Sequence, residues 1–195
     1  MSPLPSTTPT VSTSYSGMAI ALHWLIAIAI FGSFALGIYM ADLPLSPQKL
    51  KLYSWHKWAG VTIFLFVVVR LGWRLSHRPP ELPAGMPAWQ SKAAEATHAL
   101  LYVLMIAIPL TGWLMSSAKG FQTVWFGVLP LPDLLAKNED LGKLLAEVHG
   151  LLNWGMAALV VAHVGAALKH HLMDRDDVLT RMLPFLRHPA AGDMK

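Results

Sequence analysis

The sequence predicts an all-α membrane protein, a bundle of four transmembrane helices with both termini in the cytoplasm. Of its 195 residues 54% are hydrophobic and 13% are charged, whereas soluble domains carry roughly a quarter charged residues. Four apolar stretches each reach the roughly 20 residues that a helix needs to cross the hydrocarbon core. All the arginines lie on the side of the second loop and the C-terminal tail, and the positive-inside rule assigns that side to the cytoplasm.

The chain divides into a long membrane domain between two short tails. Residues 1–17 are rich in Ser, Thr and Pro and contain no Lys or Arg, so we expect a disordered tail. Without the positive start of a signal peptide, the first apolar stretch is expected to be retained. The membrane domain is predicted to span residues 18–186, and residues 187–195 form a C-terminal tail.

The four helices are predicted from the apolar stretches and from the prolines that separate them. Their predicted limits are about Met18 to Ala41, Trp55 to Leu75, Ala96 to Ala118 and Ala146 to Leu172. Prolines cannot continue a helix, and we expect Pro44 and Pro47 to close the first one. Trp125 and Phe126 open the last loop, where aromatic rings favour the membrane interface.

Composition excludes several kinds of site. The absence of cysteine excludes disulfides, iron–sulfur clusters and thiolate metal sites. The basic residues are scattered among apolar helices and do not form a patch, which argues against nucleic acid as a partner. Nine histidines are the side chains suited to bind a transition metal through nitrogen.

Five histidines lie in or at the start of the apolar helices, where ionisable residues are costly and are functional candidates by default. They are His23, His56, His98, His149 and His163. The other four lie in loops or at helix ends, where a solvated basic face explains them.

The spacing of His149 and His163 is the most informative feature. They are 14 residues apart, which returns to within about 40° of the same helix face and separates them by about 21 Å along the axis. A single metal cannot bind both, whereas two stacked haems can each take one.

Each haem then needs a second axial ligand at the same depth. His56 and His149 both lie where their helices enter from the outer side, so this pair is predicted near the periplasmic surface. His23 lies near the start of a helix that begins in the cytoplasm and matches the depth of His163. The topology therefore predicts two haem sites, one for each pair.

Other residues near these sites have two interpretations. Gly60, Gly150 and Gly165 either leave room for a macrocycle or let membrane helices pack closely. Arg70 shares the stripe of His56 at the cytoplasmic level; it either pairs with a haem propionate or a quinone head group, or extends from a helix end to the interface. His98 either replaces His23 or His163 as a ligand or handles protons beside them.

From about Ser16 to Pro184 the chain resembles the bacterial cytochrome b561 family. The residues that carry the resemblance are His23-Trp24, His56 with Gly60, Val69-Arg70-Leu71, His98, Pro109-Leu110-Thr111-Gly112, Trp125-Phe126-Gly127, the His149 and His163 spacing, His170-His171, and Leu179-Thr180-Arg181-Met182-Leu183-Pro184. Each motif is weak alone, but their order and spacing together are specific.

The resemblance implies a multi-pass inner-membrane cytochrome with two haem b, bound by His23, His56, His149 and His163. It also implies exchange of electrons with ubiquinone, and in some members oxidation of superoxide as the periplasmic-side donor. The long N-terminal tail and the loop at 133–143 depart from the family pattern, and the outer loops are the part of the chain that an electron donor would meet.

Two other classes of function stay open. One is a haem-bearing anchor subunit that connects a partner dehydrogenase to quinone. The other is a divalent-metal transporter with a histidine relay, although the predicted helices contain almost none of the carboxylates that such a path uses.

Overall fold

The computed structural model describes residues 14–77, 79–81, 83 and 85–186. It contains four long helices: α1 Gly17–Ala41, α2 Pro47–Ser76, α3 Ala88–Ala118 and α4 Glu139–Lys169. Each is long and apolar enough to cross a membrane, which confirms the prediction of four transmembrane helices. The C-terminal tail and most of the N-terminal tail lie outside the described residues.

Three of the four helices begin earlier than predicted. Helices α2, α3 and α4 start at Pro47, Ala88 and Glu139, seven or eight residues before the apolar stretches. Pro47 therefore opens α2 and does not close α1, because the first helical position needs no backbone N–H. Caps define these starts: the Ser46 hydroxyl accepts a hydrogen bond from the Lys49 amide and the Asn138 side chain accepts one from Leu141.

These additional turns change the position of the histidines along their helices. His56, His98 and His149 lie nine or ten residues inside α2, α3 and α4, not at the helix starts. The histidines thus lie on regular helix with a full turn or more on either side, which fixes their side-chain directions firmly.

Consecutive helices run antiparallel and pack in chain order, α1 on α2, α2 on α3 and α3 on α4. A small core of Ile26, Ile63 and Val67 lies between the first two helices. Many larger apolar side chains point outward; Ile28 is 68% exposed and Val161 is 72% exposed. Such a surface suits a hydrocarbon solvent, in which the backbone bonds of each helix are satisfied internally.

One end of the bundle, here called the hairpin end, is covered by the connection between α3 and α4. This connection contains a two-stranded antiparallel hairpin, β1 Val124–Trp125 and β2 Leu129–Pro130. Indole N–H groups join it to the bundle: Trp58 donates to the Val124 carbonyl at 2.6 Å and Trp125 to the Thr62 hydroxyl at 3.3 Å. The turn of the hairpin uses positive φ at Phe126 and Gly127.

The opposite end, here called the tail end, carries the start of α1 and the end of α4. A π-helical turn, His170–Asp174, extends α4, and the chain then returns to α1, where Trp24 donates to the Met182 carbonyl at 2.9 Å. The start of α1 is also bound to α2, since the Trp73 indole donates to the Ser16 hydroxyl at 3.1 Å.

Candidate functional site: two histidine pairs

The five helix histidines form two groups, one toward each end of the bundle. Toward the hairpin end, the rings of His56 and His149 have centroids 6.3 Å apart and planes at 83°. Toward the tail end, the rings of His23 and His163 have centroids 6.4 Å apart and planes at 62°. The structure thus brings together the same two pairs that the topology predicts.

The separation within each pair suits a shared metal ion. Two imidazoles bound end-on to one metal, each through a metal–nitrogen bond of about 2 Å, have ring centroids about 6 Å apart. Both pairs meet this condition, and in each pair the rings come from different helices. Each pair could therefore hold one haem between two helices.

Hydrogen bonds orient the hairpin-end pair. Nδ1 of His149 lies 3.1 Å from the Ile108 carbonyl; because a carbonyl can only accept, Nδ1 carries the proton. The neutral ring then has its lone pair on Nε2, the form that metal-binding histidines adopt when their second nitrogen donates to a carbonyl. Nδ1 of His56 lies 3.2 Å from the Ser33 hydroxyl.

Two glycines contact the rings of this pair. A Cβ added at Gly37 would lie 3.3 Å from Cε1 of His56, and one at Gly112 would lie 3.2 Å from Cε1 of His149. Sequence reasoning missed both and selected Gly60, Gly150 and Gly165, where an added Cβ would meet no described protein atom within 4 Å. Gly112 belongs to the Pro109–Gly112 motif, so a signal for it was present in the sequence.

The tail-end pair has a cationic neighbour. Arg70 donates to the Ala19 carbonyl at 2.8 Å and to the Tyr102 hydroxyl at 3.1 Å, and its third nitrogen lies 3.4 Å from Nδ1 of His23. A guanidinium can only donate, so Nδ1 of His23 accepts and the proton of the neutral ring is on Nε2. Metal binding through Nε2 requires that proton to leave and this contact to open.

His98 is a third histidine at the tail end. Its ring centroid lies 5.3 Å from that of His163 with the planes at 70°. This separation is about 1 Å shorter than the separation within either pair, and it places the rings edge to face in direct contact. His98 is therefore a neighbour of the pair whose geometry is less suited to sharing a metal end-on with His163.

The lysines at the hairpin end are engaged with the protein. Lys57, next to His56 in the chain, donates to the Ser116 hydroxyl at 3.2 Å and to the Phe121 and Gln122 carbonyls. Lys49 donates to the carbonyls of Ala41 and Leu43. Both amines thus bind carbonyls at or just after the C-terminal end of a neighbouring helix, where the helix dipole favours a cation.

A further polar cluster follows α4 and was not predicted from the sequence. Nδ1 of His170 lies 2.6 Å from the Asp176 carboxylate and 3.1 Å from the Asp174 carboxylate. Lys169 pairs with the same Asp174 oxygen at 2.6 Å. The cluster links the π-helical turn to the segment that follows it.

A four-helix membrane bundle with an inward-facing histidine pair toward each end defines the class of a multi-pass membrane cytochrome. The family model described as prokaryotic cytochrome b561 matches residues 14–185. The chain therefore belongs to the prokaryotic cytochrome b561 family, whose members are membrane electron-transfer proteins that bind haem b.

Three curated relatives agree with this assignment. The chain is 37% identical over 171 residues to cytochrome b561 homolog 2 of Escherichia coli K12, covering 87% of this chain and 90% of the relative. It is 30% identical to cytochrome b561 homolog 1 of the same organism over 175 residues, covering 87% and 97%. It is 28% identical to a probable superoxide oxidase CybB of Yersinia pestis over 172 residues, covering 87% and 96%.

Proposed function

We propose that this protein binds two haem b and carries electrons between a donor on the periplasmic side and the ubiquinone pool of the bacterial inner membrane. The observation that carries the proposal is the pair of nearly equal histidine ring separations, 6.3 Å and 6.4 Å, one toward each end of the bundle. His56 and His149 hold one haem, and His23 and His163 hold the other. Haem iron supplies one-electron chemistry when bound, and the protein sets its potential through the axial ligands and the surrounding dielectric.

Neighbouring groups orient the two imidazoles of the hairpin-end pair for haem binding. The Ile108 carbonyl and the Ser33 hydroxyl fix the rotation of the two imidazoles, and Gly37 and Gly112 let the rings lie against α1 and α3. Histidines that are held in this way need no rearrangement before they bind metal. The hairpin covers this end, joined to the helices by the indoles of Trp58 and Trp125, and Trp113 donates to the Pro132 carbonyl just after it.

Arg70 serves the tail-end pair. Its two short hydrogen bonds, to Ala19 and Tyr102, anchor the guanidinium between α1 and α3. The third nitrogen is then free to leave His23 and to bind an anionic group such as a propionate. An arginine suits that role because it stays charged and presents several donors in one plane.

The donor is proposed to meet the hairpin end, which the arginine distribution assigns to the periplasm. Superoxide is a candidate because a relative carries the name probable superoxide oxidase and because lysines surround this end. Lys57 and Lys49 are held in place by carbonyls, and Lys51 lies over the ring of Trp55 at 5.1 Å. Fixed positive charges steer small anions toward a site and raise their rate of arrival.

The test is an optical spectrum and a haem count on the detergent-purified protein, followed by rapid mixing. Two low-spin b-type haems per chain are expected, reducible by a short-chain ubiquinol and by a superoxide source. A colourless protein after haem supplementation would refute the proposal. Reduction by ubiquinol that requires a soluble partner subunit would favour the anchor subunit, the alternative function.

The sidedness needs a separate measurement. A cysteine introduced at Lys143, near the start of α4, should react with a membrane-impermeant maleimide added outside intact cells, whereas one at Lys92 should not. The chain has no native cysteine, so the labelling has no background from the protein itself. The reverse pattern would invert the proposed orientation.

A further inference from the structure

A cavity at the tail end is lined on one side by Arg70, the residue that contacts the ring of His23. Its volume is about 250 Å³, and it opens between the start of α1, the end of α2 and the ring of Tyr102 on α3. The side chains that give it chemical character are Arg70, Arg74, His77, Trp73 and Tyr102.

The charge in this cavity is positive and is not neutralised by the residues that line it. Arg70 and Arg74 are both present, and the described lining residues include no aspartate or glutamate. The partners of Arg70 are a carbonyl, a hydroxyl and an imidazole, all of them neutral acceptors. Because Arg70 is proposed to bind a haem propionate, Arg74 is the guanidinium that favours a further anion in this partly enclosed, partly apolar space, since burying uncompensated charge is costly.

The recognition groups are held in place. The Arg74 guanidinium lies 5.9 Å from the centre of the Tyr102 ring, a distance typical of a cation–π contact. The His77 ring is stacked on Trp73, with centroids 3.9 Å apart and planes within 6°. Nδ1 of His77 donates to the Trp73 carbonyl at 3.2 Å, which directs Nε2 away from the helix end.

The cavity lies at the level at which helices end. α1 begins at Gly17 and α2 ends at Ser76, and the Trp73 indole binds the Ser16 cap of α1. Tryptophan and tyrosine rings at helix ends are typical of the membrane–water interface. Phospholipid phosphates lie at that depth, and clustered basic residues there bind anionic head groups.

We propose that this cavity binds a phosphate group through Arg74, beside the His77 ring that lines it. The phosphate belongs either to an anionic phospholipid head group or to free phosphate. Guanidinium groups bind phosphate oxygens through paired, charge-assisted hydrogen bonds. This site is independent of the electron donor and of the quinone.

The experiment compares lipid binding by the haem-loaded protein and by charge variants. Native mass spectrometry of the detergent-purified protein is titrated with dioleoylphosphatidylglycerol or dioleoylphosphatidylcholine, and inorganic phosphate binding is measured by calorimetry. Arg74→Gln is expected to weaken phosphatidylglycerol binding about fivefold, as for other basic residues at a membrane surface. Lys92→Gln is the matched control, because it removes one positive charge from an exposed position of α3 at the same end.

His77→Gln keeps the test informative if Arg74→Gln does not fold, since His77 is exposed at the helix end. Weaker phosphatidylglycerol binding in either cavity variant, with haem content unchanged, supports a lipid head-group site. Loss of inorganic phosphate binding in those variants, without a preference between the two lipids, supports a site for free phosphate. If both cavity variants bind both probes as the Lys92→Gln control does, the proposal is wrong.

Discussion

The two histidine pairs have the same ring separation but different surroundings. At the hairpin end, a carbonyl and a hydroxyl orient the two imidazoles, and two glycines lie against the rings. At the tail end, an arginine contacts one ring and a third histidine contacts the other. The first pair is arranged for metal binding as it stands, whereas the second has to exchange a hydrogen bond.

The difference shows that ring separation alone does not define a metal site. A ring nitrogen that carries the proton cannot bind a metal, so the position of the proton decides which nitrogen binds. The proton is on Nδ1 in His149 and on Nε2 in His23. We therefore expect the hairpin-end haem to bind without rearrangement and the tail-end haem to bind with movement of Arg70. The predictions below test this contrast, from the largest expected effect to the smallest.

The largest effect is expected from His149→Ala. This change removes one axial ligand of the hairpin-end haem and should reduce the haem content from two per chain to one. The remaining spectrum should be that of the haem at His23 and His163. Pigment extraction with a protein assay measures the ratio, and an unchanged ratio of two would contradict the assignment.

Next in size is the contrast between His98→Ala and His23→Ala. The short distance between the rings of His98 and His163 leads us to expect that His98→Ala keeps two low-spin haems and that His23→Ala keeps one. Haem counts and visible spectra of the two purified variants show whether His23 or His98 is the ligand. The opposite result would exchange the roles of His23 and His98.

A smaller loss is expected from Gly112→Ala. The added methyl group would lie 3.2 Å from Cε1 of His149, so the ring must move and its bond to the Ile108 carbonyl weakens. Overpacking of this kind costs about 1–3 kcal/mol, and we expect partial loss of the hairpin-end haem with a lower thermal midpoint.

Gly155→Ala is the control for that experiment, because an added Cβ there would meet no described atom within 4 Å. Alanine is the better helix former by about 1 kcal/mol, so this variant should be at least as stable as the parent. Equal behaviour of Gly112→Ala and Gly155→Ala would remove the argument for a close ring contact.

The smallest effect is expected from Thr111→Val. The Thr111 hydroxyl donates to the Ile108 carbonyl at 2.9 Å, and its oxygen lies 3.2 Å from Nδ1 of His149, from which it can accept. Without it, the imidazole donates to one acceptor instead of two and stabilises the oxidised haem less. A hydrogen bond of about 1 kcal/mol corresponds to a midpoint potential higher by about 40 mV in a one-electron couple.

A redox titration followed optically measures that shift. The tail-end haem serves as an internal reference, since Thr111 contacts the hairpin-end pair. An equal shift of both haems, or a fall in potential, would contradict this role for the hydroxyl.

The sequence predicts the number of helices and the proximity of the rings within each histidine pair, and the physical reason is the topology. Helices that cross a membrane in antiparallel order fix the depth of each residue, so His56 is expected near His149 and His23 near His163. The helix starts were less predictable. Pro47, Ala88 and Glu139 open polar turns outside the apolar stretches, and caps such as Ser46 set those limits.

The details around the rings depend on helix rotation, which the sequence does not contain. The chain has 14 glycines, and only the packed structure distinguishes Gly37 and Gly112 from Gly60. The contact between Arg70 and His23 also depends on helix rotation, because it joins residues of α2 and α1 that lie far apart in sequence. The depth of a residue in the membrane predicts which residues lie near each other. Side-chain packing decides which ring contacts and hydrogen bonds they form.

The most direct test of the central claim is the haem content of two double variants. If His56 and His149 share one haem, His56→Ala/His149→Ala should retain one haem per chain, the same as either single variant. His149→Ala/His163→Ala removes a ligand from each pair and should retain none. Loss of both haems from the first double variant, or retention of one by the second, would contradict the two-pair arrangement.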